Sequence, residues 1–250
     1  MNAPFRACAL IPTFDNPRTV RSVVERVREH ATDVIVVDDG SGPEGRAACE
    51  GLARDGLAIV DRLDTNRGKG AAVKRGFELA AARGFTHGFQ VDADGQHDIA
   101  CMPAFLRAAA AQPDALVLGY PVYDASAPRA RLVARRATKF WVDVEAGRGR
   151  VRDALIGFRV YPIDAARRSG TRGNRMEFDV EIAVRMARAG VPIVNLPVNV
   201  RYLSAGEGGV SHWRPVRDIA RLSWMHSRIC TSLSMHWVFD RLLGRTRAPR

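Results

Sequence analysis

Val91-Asp92-Ala93-Asp94-Gly95-Gln96-His97-Asp98 is the stretch whose reading decides the fold. It continues Gly88–Val91, a short strand candidate, and turns at once into acids and glycine. An equivalent junction lies upstream, where the β-branched run Asp33–Val37 enters Asp38-Asp39-Gly40-Ser41. Both clusters follow a strand directly, so a parallel sheet would carry them on the same edge. Oxygen ligands at i, i+2 and i+4 (Asp92, Asp94, Gln96) suit a hard divalent cation, Mg²⁺ or Mn²⁺, which would hold a diphosphate. Asp and Gly after a strand are also ordinary turn chemistry, and for either cluster alone that reading stands at least as well. Two clusters at matching positions favour the ligand site.

Outward from these junctions the chain alternates strand and helix signals. Arg6–Pro12 reads as a strand. Asn16 is expected to cap a helix starting at Pro17, with Val20, Val23, Val24 and Val27 on one face. Glu44–Arg54 reads as helix, Leu57–Leu63 as strand, and Lys69–Ala82 as a helix stopped by Gly84. Ile99–Ala111 is helical and Leu116–Gly119 a strand. This rhythm predicts an α/β chain with a mainly parallel sheet covered on both faces. The remainder is less regular. Pro128–Ala146 reads as a basic helix, Leu155–Val160 as a strand, and Glu177–Ala189 as a helix ended by Gly190. Ile193–Val200 reads as a strand whose Pro197 suggests a sheet edge. A Gly/Ser loop at 203–211 precedes a long final helix, Val216–Phe239. No repeat or interdomain linker interrupts the chain, so one domain over 1–210 is expected, with a C-terminal amphipathic helical extension over 211–250.

At 250 residues and 46% hydrophobic composition the chain can build a substantial core, which excludes disorder. No apolar run approaches the ~18 residues of a spanning helix. The start, MNAPFRACAL, lacks the apolar core and cleavage site of a secretory signal. Cys8, Cys49, Cys101 and Cys230 are scattered, with neither disulfide framework nor metal spacing, which fits a reducing compartment. The formal net charge is +11, and it is unevenly spread. Residues 1–120 hold 14 Lys/Arg against 16 Asp/Glu, whereas 121–250 hold 24 against 11. Such an excess suits nucleic acid, an anionic membrane, a phosphate-rich small substrate, or simply a solvated basic surface. Acids at strand ends would repel a phosphate backbone, so nucleic acid is not an expected partner.

Asn66-Arg67-Gly68-Lys69-Gly70 opens a helix after the third strand. Glycines with Lys and Arg at a helix N-terminus suit an anion, and a plain helix start is the equal alternative. The spacing is neither that of a P-loop nor that of the GxGxxG fingerprint.

Taken together, IPTFDN (Ile11–Asn16), VVDDGS (Val36–Ser41), NRGKGAA (Asn66–Ala72) and VDADGQHD (Val91–Asp98) resemble the family-2 glycosyltransferases in order, spacing and placement. The resemblance covers roughly the first 200 residues. Within that family the chain is most similar to polyprenyl-phosphate sugar transferases of the dolichyl-phosphate mannosyltransferase kind. That likeness rests on DADGQ, on Asp153 followed by Gly157-Phe158-Arg159-Val160-Tyr161, on Glu177-Phe178-Asp179-Val180-Glu181, and on Pro197 through Arg201.

The resemblance implies a GT-A, Rossmann-like sandwich and a hexosyltransferase-type enzyme. Residues 1–120 would be the half that binds a UDP- or GDP-linked sugar, and 121–210 the acceptor half. Pro12, Phe14 and Asp39 would hold the nucleobase and ribose, with Asp15 close to the nucleotide and Lys69 in a segment that contacts it. Asp92, Asp94 and Gln96 would form the metal and diphosphate site. Arg129, Arg131 and Arg201 are the nearest candidates for phosphate-binding arginines. Attack at the sugar's C1 opposite the nucleotide gives inversion, and the cation and arginines stabilise the leaving diphosphate. The implied acceptor is a lipid, either a polyprenyl phosphate or a lipid hydroxyl. A soluble glycan or small hydroxyl acceptor is the alternative. A metal-dependent nucleotidyltransferase is a further one, although the Gly-rich phosphate loop of such enzymes is absent after the first strand.

A phosphate acceptor needs no base, whereas a hydroxyl needs a carboxylate within reach. Hydroxyl-glycosylating relatives often carry Glu-Asp at the start of the helix near 177, the Asp being their base. Here Phe178 replaces the Glu, which weakens that case, while Asp179 remains and leaves a hydroxyl acceptor open, since dolichyl-phosphate enzymes commonly have an uncharged residue there. Asp179 is equally an acid suited to a helix's first turn. Glu177 and Glu181 share a face and read as partners for arginines. His97 could stand behind the metal ligands and His212 could meet donor phosphates. His226 and His236 lie on the last helix, and no zinc spacing is present. Residues 128–139 carry Arg129, Arg131, Arg135, Arg136 and Lys139, with Leu132, Val133, Phe140 and Trp141 supplying apolar contacts. The last helix, with Arg217, Arg221 and Arg228 near one face, either rests in a membrane interface or packs on the catalytic domain with its arginines in water. The expected location is the cytoplasm, with peripheral contact at the inner face of the cytoplasmic membrane.

Overall fold

Val34-Ile35-Val36-Val37 is buried without interruption, as is Cys8 through Thr13, and such runs belong to strands covered on both faces. The computed structural model describes residues 4–31, 33–123, 129–201 and 215–242. Its strands are β1 (Ala7–Thr13), β2 (Val34–Asp38), β3 (Ile59–Arg62), β4 (His87–Gln90), β5 (Leu116–Tyr123), β6 (Arg159–Pro162) and β7 (Ile193–Val200). Its helices are α1 (Val20–Arg28), α2 (Pro43–Arg54), α3 (Lys69–Ala82), α4 (Met102–Ala111), α5 (Arg129–Ala146), α6 (Ile163–Arg168), α7 (Glu177–Arg188) and α8 (Pro215–Leu242). The chain forms two compact units, residues 1–212 and 213–250. The second contains α8, in which Arg221 pairs with Asp218 at 3.3 Å. No helix among the described residues is long and apolar enough to cross a membrane.

The seven strands form one sheet in the order β3-β2-β1-β4-β6-β5-β7. Pairing is parallel except at β6, which runs antiparallel to β4 and β5. The mainly parallel α/β architecture therefore holds, with one reversed strand that the alternating pattern did not announce. The chain leaves β1 towards β2 and β3 on one side and returns to β4 on the other. The carboxyl ends of β1, β2 and β4 thus meet at a topological switch point, where open α/β sheets bind ligands.

Local chemistry explains where elements begin. Helix α1 buries Val20, Val23, Val24 and Val27 as the spacing predicts, but it starts at Val20 and not at Pro17. The Asn16 carbonyl accepts the N–H groups of Thr19 and Val20, and its side-chain amide donates to the Phe14 carbonyl. Asn16 therefore shapes the turn ahead of the helix. Thr19, in the cap position, donates its hydroxyl to the Ala93 carbonyl at 2.6 Å and ties α1 to the DADG turn. The expected strand Leu155–Val160 shifts to Arg159–Pro162, because the Asp153 carboxylate accepts the N–H groups of Leu155 and Ile156 and holds a turn there. Pro197 does lie on an edge strand: β7 ends the strand order, paired with β5 and bridged at Val200 to His97.

Beneath the switch point sits an aromatic group, Phe89, Phe105 and Phe158, each fully buried. Phe158 meets the other two edge-on at centroid distances of 4.9 and 5.0 Å. Its partner beyond is the His97 ring, 5.4 Å away, so the DADGQH turn rests on a rigid apolar floor.

Candidate functional site

The end of β2 is closed by the protein's own groups. Asp38 accepts the Ser41 N–H at 2.9 Å and pairs with Arg62. Asp39 accepts the N–H groups of Arg67 at 2.8 Å and Gly68 at 2.7 Å. Burial pushes its carboxyl above the usual range, against the pull of those donors. These two backbone donors at the NRGKG helix start are thus met from inside the chain by Asp39. The glycines there serve close packing. Gly68 has φ +103°, and a Cβ on it would lie 2.4 Å from the Asn174 carbonyl; one on Gly70 would lie 2.4 Å from Phe178.

The end of β1 is tied to the same edge. Pro12 is buried within β1. Asp15 adopts φ 49°, donates its N–H to Ser41 Oγ and accepts the Gly42 N–H at 2.8 Å. Phe14, between them, is half-buried.

The end of β4 is different. Lys69, at the first position of α3, reaches across with Nζ 2.7 Å from Asp92 Oδ1 and 2.7 Å from Asp179 Oδ2. Gln90 donates to Asp179 Oδ1 at 3.2 Å, and the Tyr161 hydroxyl donates to Gln90 Oε1 at 2.9 Å. Arg159, wholly buried, donates to the backbone carbonyls of Ile156 and Asp179. Burial alone would lower the Lys69 ammonium, but Asp179 and Asp92 outweigh it and raise its pKa. Burial works against the Asp92 carboxylate, yet Lys69 and then His97 hold its pKa below the usual value. Asp94 goes the other way, raised by burial and by Asp92. Its hydrogen bond comes from the Gln96 N–H at 3.0 Å.

The β4 cluster consequently carries more negative than positive charge. Against Asp92, Asp94 and Asp179 stand the Lys69 ammonium, paired with Asp92 and Asp179, and the buried Arg159 guanidinium behind Asp179. No group of three or more His, Cys, Asp or Glu side chains among the described residues forms a metal cage. By donor type, two carboxylates and a glutamine amide would suit a hard cation, although both Asp92 oxygens here lie within 2.8 Å of Lys69 Nζ. Two further observations agree with a built site. His97 Nδ1 is buried without a hydrogen-bond partner, and burial lowers the pKa of this ring against Asp92 and Asp94. Gly157 leaves room for the Asp92 carboxylate, which a Cβ would meet at 2.2 Å.

Arg201 joins this edge through its backbone, its N–H donating to the Gln96 carbonyl at 3.1 Å. Asp98 likewise donates to the Asn199 carbonyl at 3.1 Å, so the end of β7 is stitched to the DADGQHD turn. Arg129 and Arg131 stand on the first turn of α5, and their side chains lie outside the described residues. The 203–211 loop and His212 also lie outside them, as does the side chain of His236. Glu181 pairs with Arg185 at 2.7 Å and accepts the Gly173 N–H; Glu177 accepts those of Asn174 and Arg175. Both therefore brace the loop before α7.

Sequence reasoning missed Gln90, Tyr161 and Arg159 as parts of this edge. Gln90 had a usable signal: it sits two residues before Asp92, hence on the same side of the strand.

The family profile described as glycosyl transferase family 2 matches residues 8–173. The undecaprenyl-phosphate mannosyltransferase of Micrococcus luteus is 28% identical over 217 residues, covering 82% of this chain and 88% of the relative. The polyprenol monophosphomannose synthase of Mycolicibacterium smegmatis is 26% identical over 208 residues, covering 77% and 76%. Among solved structures, the glucosyl-3-phosphoglycerate synthase of Mycobacterium tuberculosis with Mn²⁺ and UDP-glucose superimposes at a TM-score of 0.64. It is 16% identical, with 98% of this chain and 80% of that one covered, a likeness of fold.

Proposed function

The chain belongs to glycosyl transferase family 2, and on that premise we propose that it moves a sugar from a nucleotide-diphosphate sugar to a lipid phosphate of the polyprenyl kind. The observation that carries the transfer reading is the charge imbalance at the end of β4, where Asp92, Asp94 and Asp179 outnumber the Lys69 ammonium and the Arg159 guanidinium. Asp92, Asp94 and Gln96 would hold Mg²⁺ or Mn²⁺, and such a cation neutralises charge on a diphosphate leaving group. The Mn²⁺ complex of the mycobacterial synthase supports that choice.

The chain's own residues then divide the work. Lys69 holds Asp92 in place and balances part of its charge. Asp15, Asp39 and Pro12 shape the floor for the nucleoside, with Phe14 at its rim. Arg201, at the same edge, is suited to an acceptor or donor phosphate, with Arg129 and Arg131 as further candidates. The acceptor oxygen bonds to C1 as the bond from C1 to the diphosphate oxygen breaks, and the nucleoside diphosphate leaves with the electron pair.

Asp179 supports a phosphate acceptor. It is 1% exposed, with one oxygen bonded by Gln90 and the other paired with Lys69. A base must reach the proton it takes, and an ionised phosphate has none to give at the attacking oxygen. The two mannosyltransferase relatives point to a lipid phosphate as well. A hydroxyl acceptor with Asp179 as base is the second reading, favoured by its place one ammonium away from Asp92.

The test is nucleoside diphosphate release from UDP- and GDP-sugars with Mn²⁺, with polyprenyl phosphate, a polyprenol or a soluble glycan as acceptor. Release stimulated only by the phosphate, and kept by Asp179→Asn, is expected. Stimulation by a hydroxyl acceptor, abolished by Asp179→Asn with donor binding intact, would overturn the phosphate reading.

A further inference from the structure

Helix α5 is amphipathic in the reverse sense. Its inward positions include Thr138 and Glu145 beside Val142 and Ala146, all buried, and this side packs on α7. Its outward positions include Phe140, 62% exposed, Val144, 54%, and Trp141, 43%. At 100° per residue, positions 136, 137, 140, 141 and 144 share one side of the helix. Arg136 and Ala137 are exposed there too. Trp141 meets Phe140 edge-on at a centroid distance of 5.4 Å and so supports its ring. A helix on a globular surface ordinarily turns charge to water and apolar groups inward. Single exposed apolar residues need no explanation, whereas a contiguous aromatic face does.

The charge around this face is of one sign. Residues 129–152 contain eight Lys/Arg and two Asp/Glu. Neither acid faces outward alone: Asp143 pairs with Lys139, and Glu145 is buried. Arg136 lies at the edge of the apolar face, and Arg148, Arg150 and Arg152 follow the helix end, all exposed. Arg135 is drawn away to Asp153. Aromatic and aliphatic groups with an arginine at their edge and three more after the helix end match the chemistry of a bilayer interface, with apolar groups at the acyl boundary and cations among anionic headgroups.

We propose that the outward face of α5, centred on Phe140 and Val144, docks the enzyme on an anionic lipid surface. The inference deepens, and rests on, the lipid-acceptor reading, since an acceptor anchored in a bilayer must be met at that bilayer. Docking then takes place through the catalytic unit itself, on the helix that follows β5.

Full-length protein would be sedimented with vesicles of phosphatidylglycerol and phosphatidylethanolamine, and with phosphatidylcholine vesicles as the uncharged control. Binding to the anionic vesicles alone is expected. The double variant Phe140→Ser/Val144→Ser should lose at least tenfold in vesicle affinity while keeping its circular dichroism and melting temperature. Arg136→Gln and Arg148→Gln should each weaken binding by about fivefold, and added salt should mimic them. Undiminished vesicle binding by the serine variant would overturn the proposal. So would a loss confined to Trp224→Ser on α8, or a wild-type dimer that the serine variant turns into a monomer without any vesicle binding. Transfer to a short, water-soluble polyprenyl phosphate separates the two readings. The serine variant should keep that activity and lose transfer to the vesicle-borne acceptor. Vesicle binding that depends on Phe140 and Val144, without transfer to either phosphate, would uphold the docking face and overturn the lipid-phosphate acceptor.

Discussion

The two acidic clusters look alike as text and differ as structure. Asp38-Asp39 and Asp92-Ala93-Asp94 each follow a buried strand on the same sheet edge. At the first, the carboxylate oxygens are bonded from within: Arg62 and the Ser41 N–H serve Asp38, and two backbone N–H groups serve Asp39, although burial still raises the Asp39 carboxyl. At the second, Lys69 serves both Asp92 and Asp179, and Asp94 receives one N–H. A buried carboxylate costs free energy until it is paired. The first cluster is therefore a joint of the fold, and the second holds charge in reserve for a ligand.

The largest effect should come from Asp94→Asn. If Asp94 meets the donor, its loss should cut turnover by ~10²–10³-fold, the scale of removing one preorganised electrostatic contact. Nucleoside diphosphate release with Mn²⁺ measures it. Activity within a few-fold of wild type would mean that the second cluster is no more than a second joint.

Gly157→Ala should come next. The new Cβ would lie 2.2 Å from Asp92 Oδ1, so the carboxylate must leave its place beside Lys69. Misplacement of a catalytic group by about 1 Å can cost ~10²-fold in rate. The expected outcome is a drop in kcat of that order with circular dichroism unchanged. An unaffected kcat would separate Asp92 from the chemistry.

Asp39→Asn probes the other cluster and should act on stability. An amide can accept only one of the two N–H groups from Arg67 and Gly68, and its own NH₂ then faces the other donor. A buried donor left unmet costs about 1–3 kcal/mol. Each kcal/mol moves the melting temperature of a chain this size by about 2–4 °C. Thermal melting checks it, and an unchanged midpoint would contradict the joint.

The shared edge of the two clusters is legible in the sequence, the contrast between them is not, and the missing part has a definite cause. Strand-end placement follows from β-branched runs with acids after them, and the fold class and shared edge came with it. What sequence spacing does not carry is which partner arrives from far along the chain. Lys69 reads as a phosphate contact at a helix start, yet it bridges to Asp179, 110 residues later. Asp153 enters the sequence reading only through resemblance, although its turn places β6 at Arg159–Pro162. The reversal of β6 depends on that turn and on pairing with β4 and β5, neither of which has a local signature. The apolar outward face of α5 needed the buried positions of Thr138 and Glu145 to be known first.

The smallest effect is the most telling, because its sign differs between the clusters. Burial and Asp92 raise the Asp94 carboxyl above its ordinary 3.8, so ionising Asp94 is harder in the folded chain than in the unfolded one. Below that ordinary value the group is protonated in both states and costs nothing. As pH rises from the ordinary value to the raised folded value the penalty grows, and above the folded value it is complete. Asp94→Asn removes it. The amide oxygen still accepts the one N–H from Gln96, so no donor is orphaned as it is at Asp39. In the absence of divalent cations the variant should therefore melt above wild type at pH 7, with the gain fading as pH falls towards 3.8. Added Mn²⁺ should then raise the wild type and leave the variant unmoved, since only a ligand that binds the folded state shifts its melting. A variant that melts lower than wild type at pH 7 without metal would show that Asp94, like Asp39, is held by the fold and not kept for a ligand.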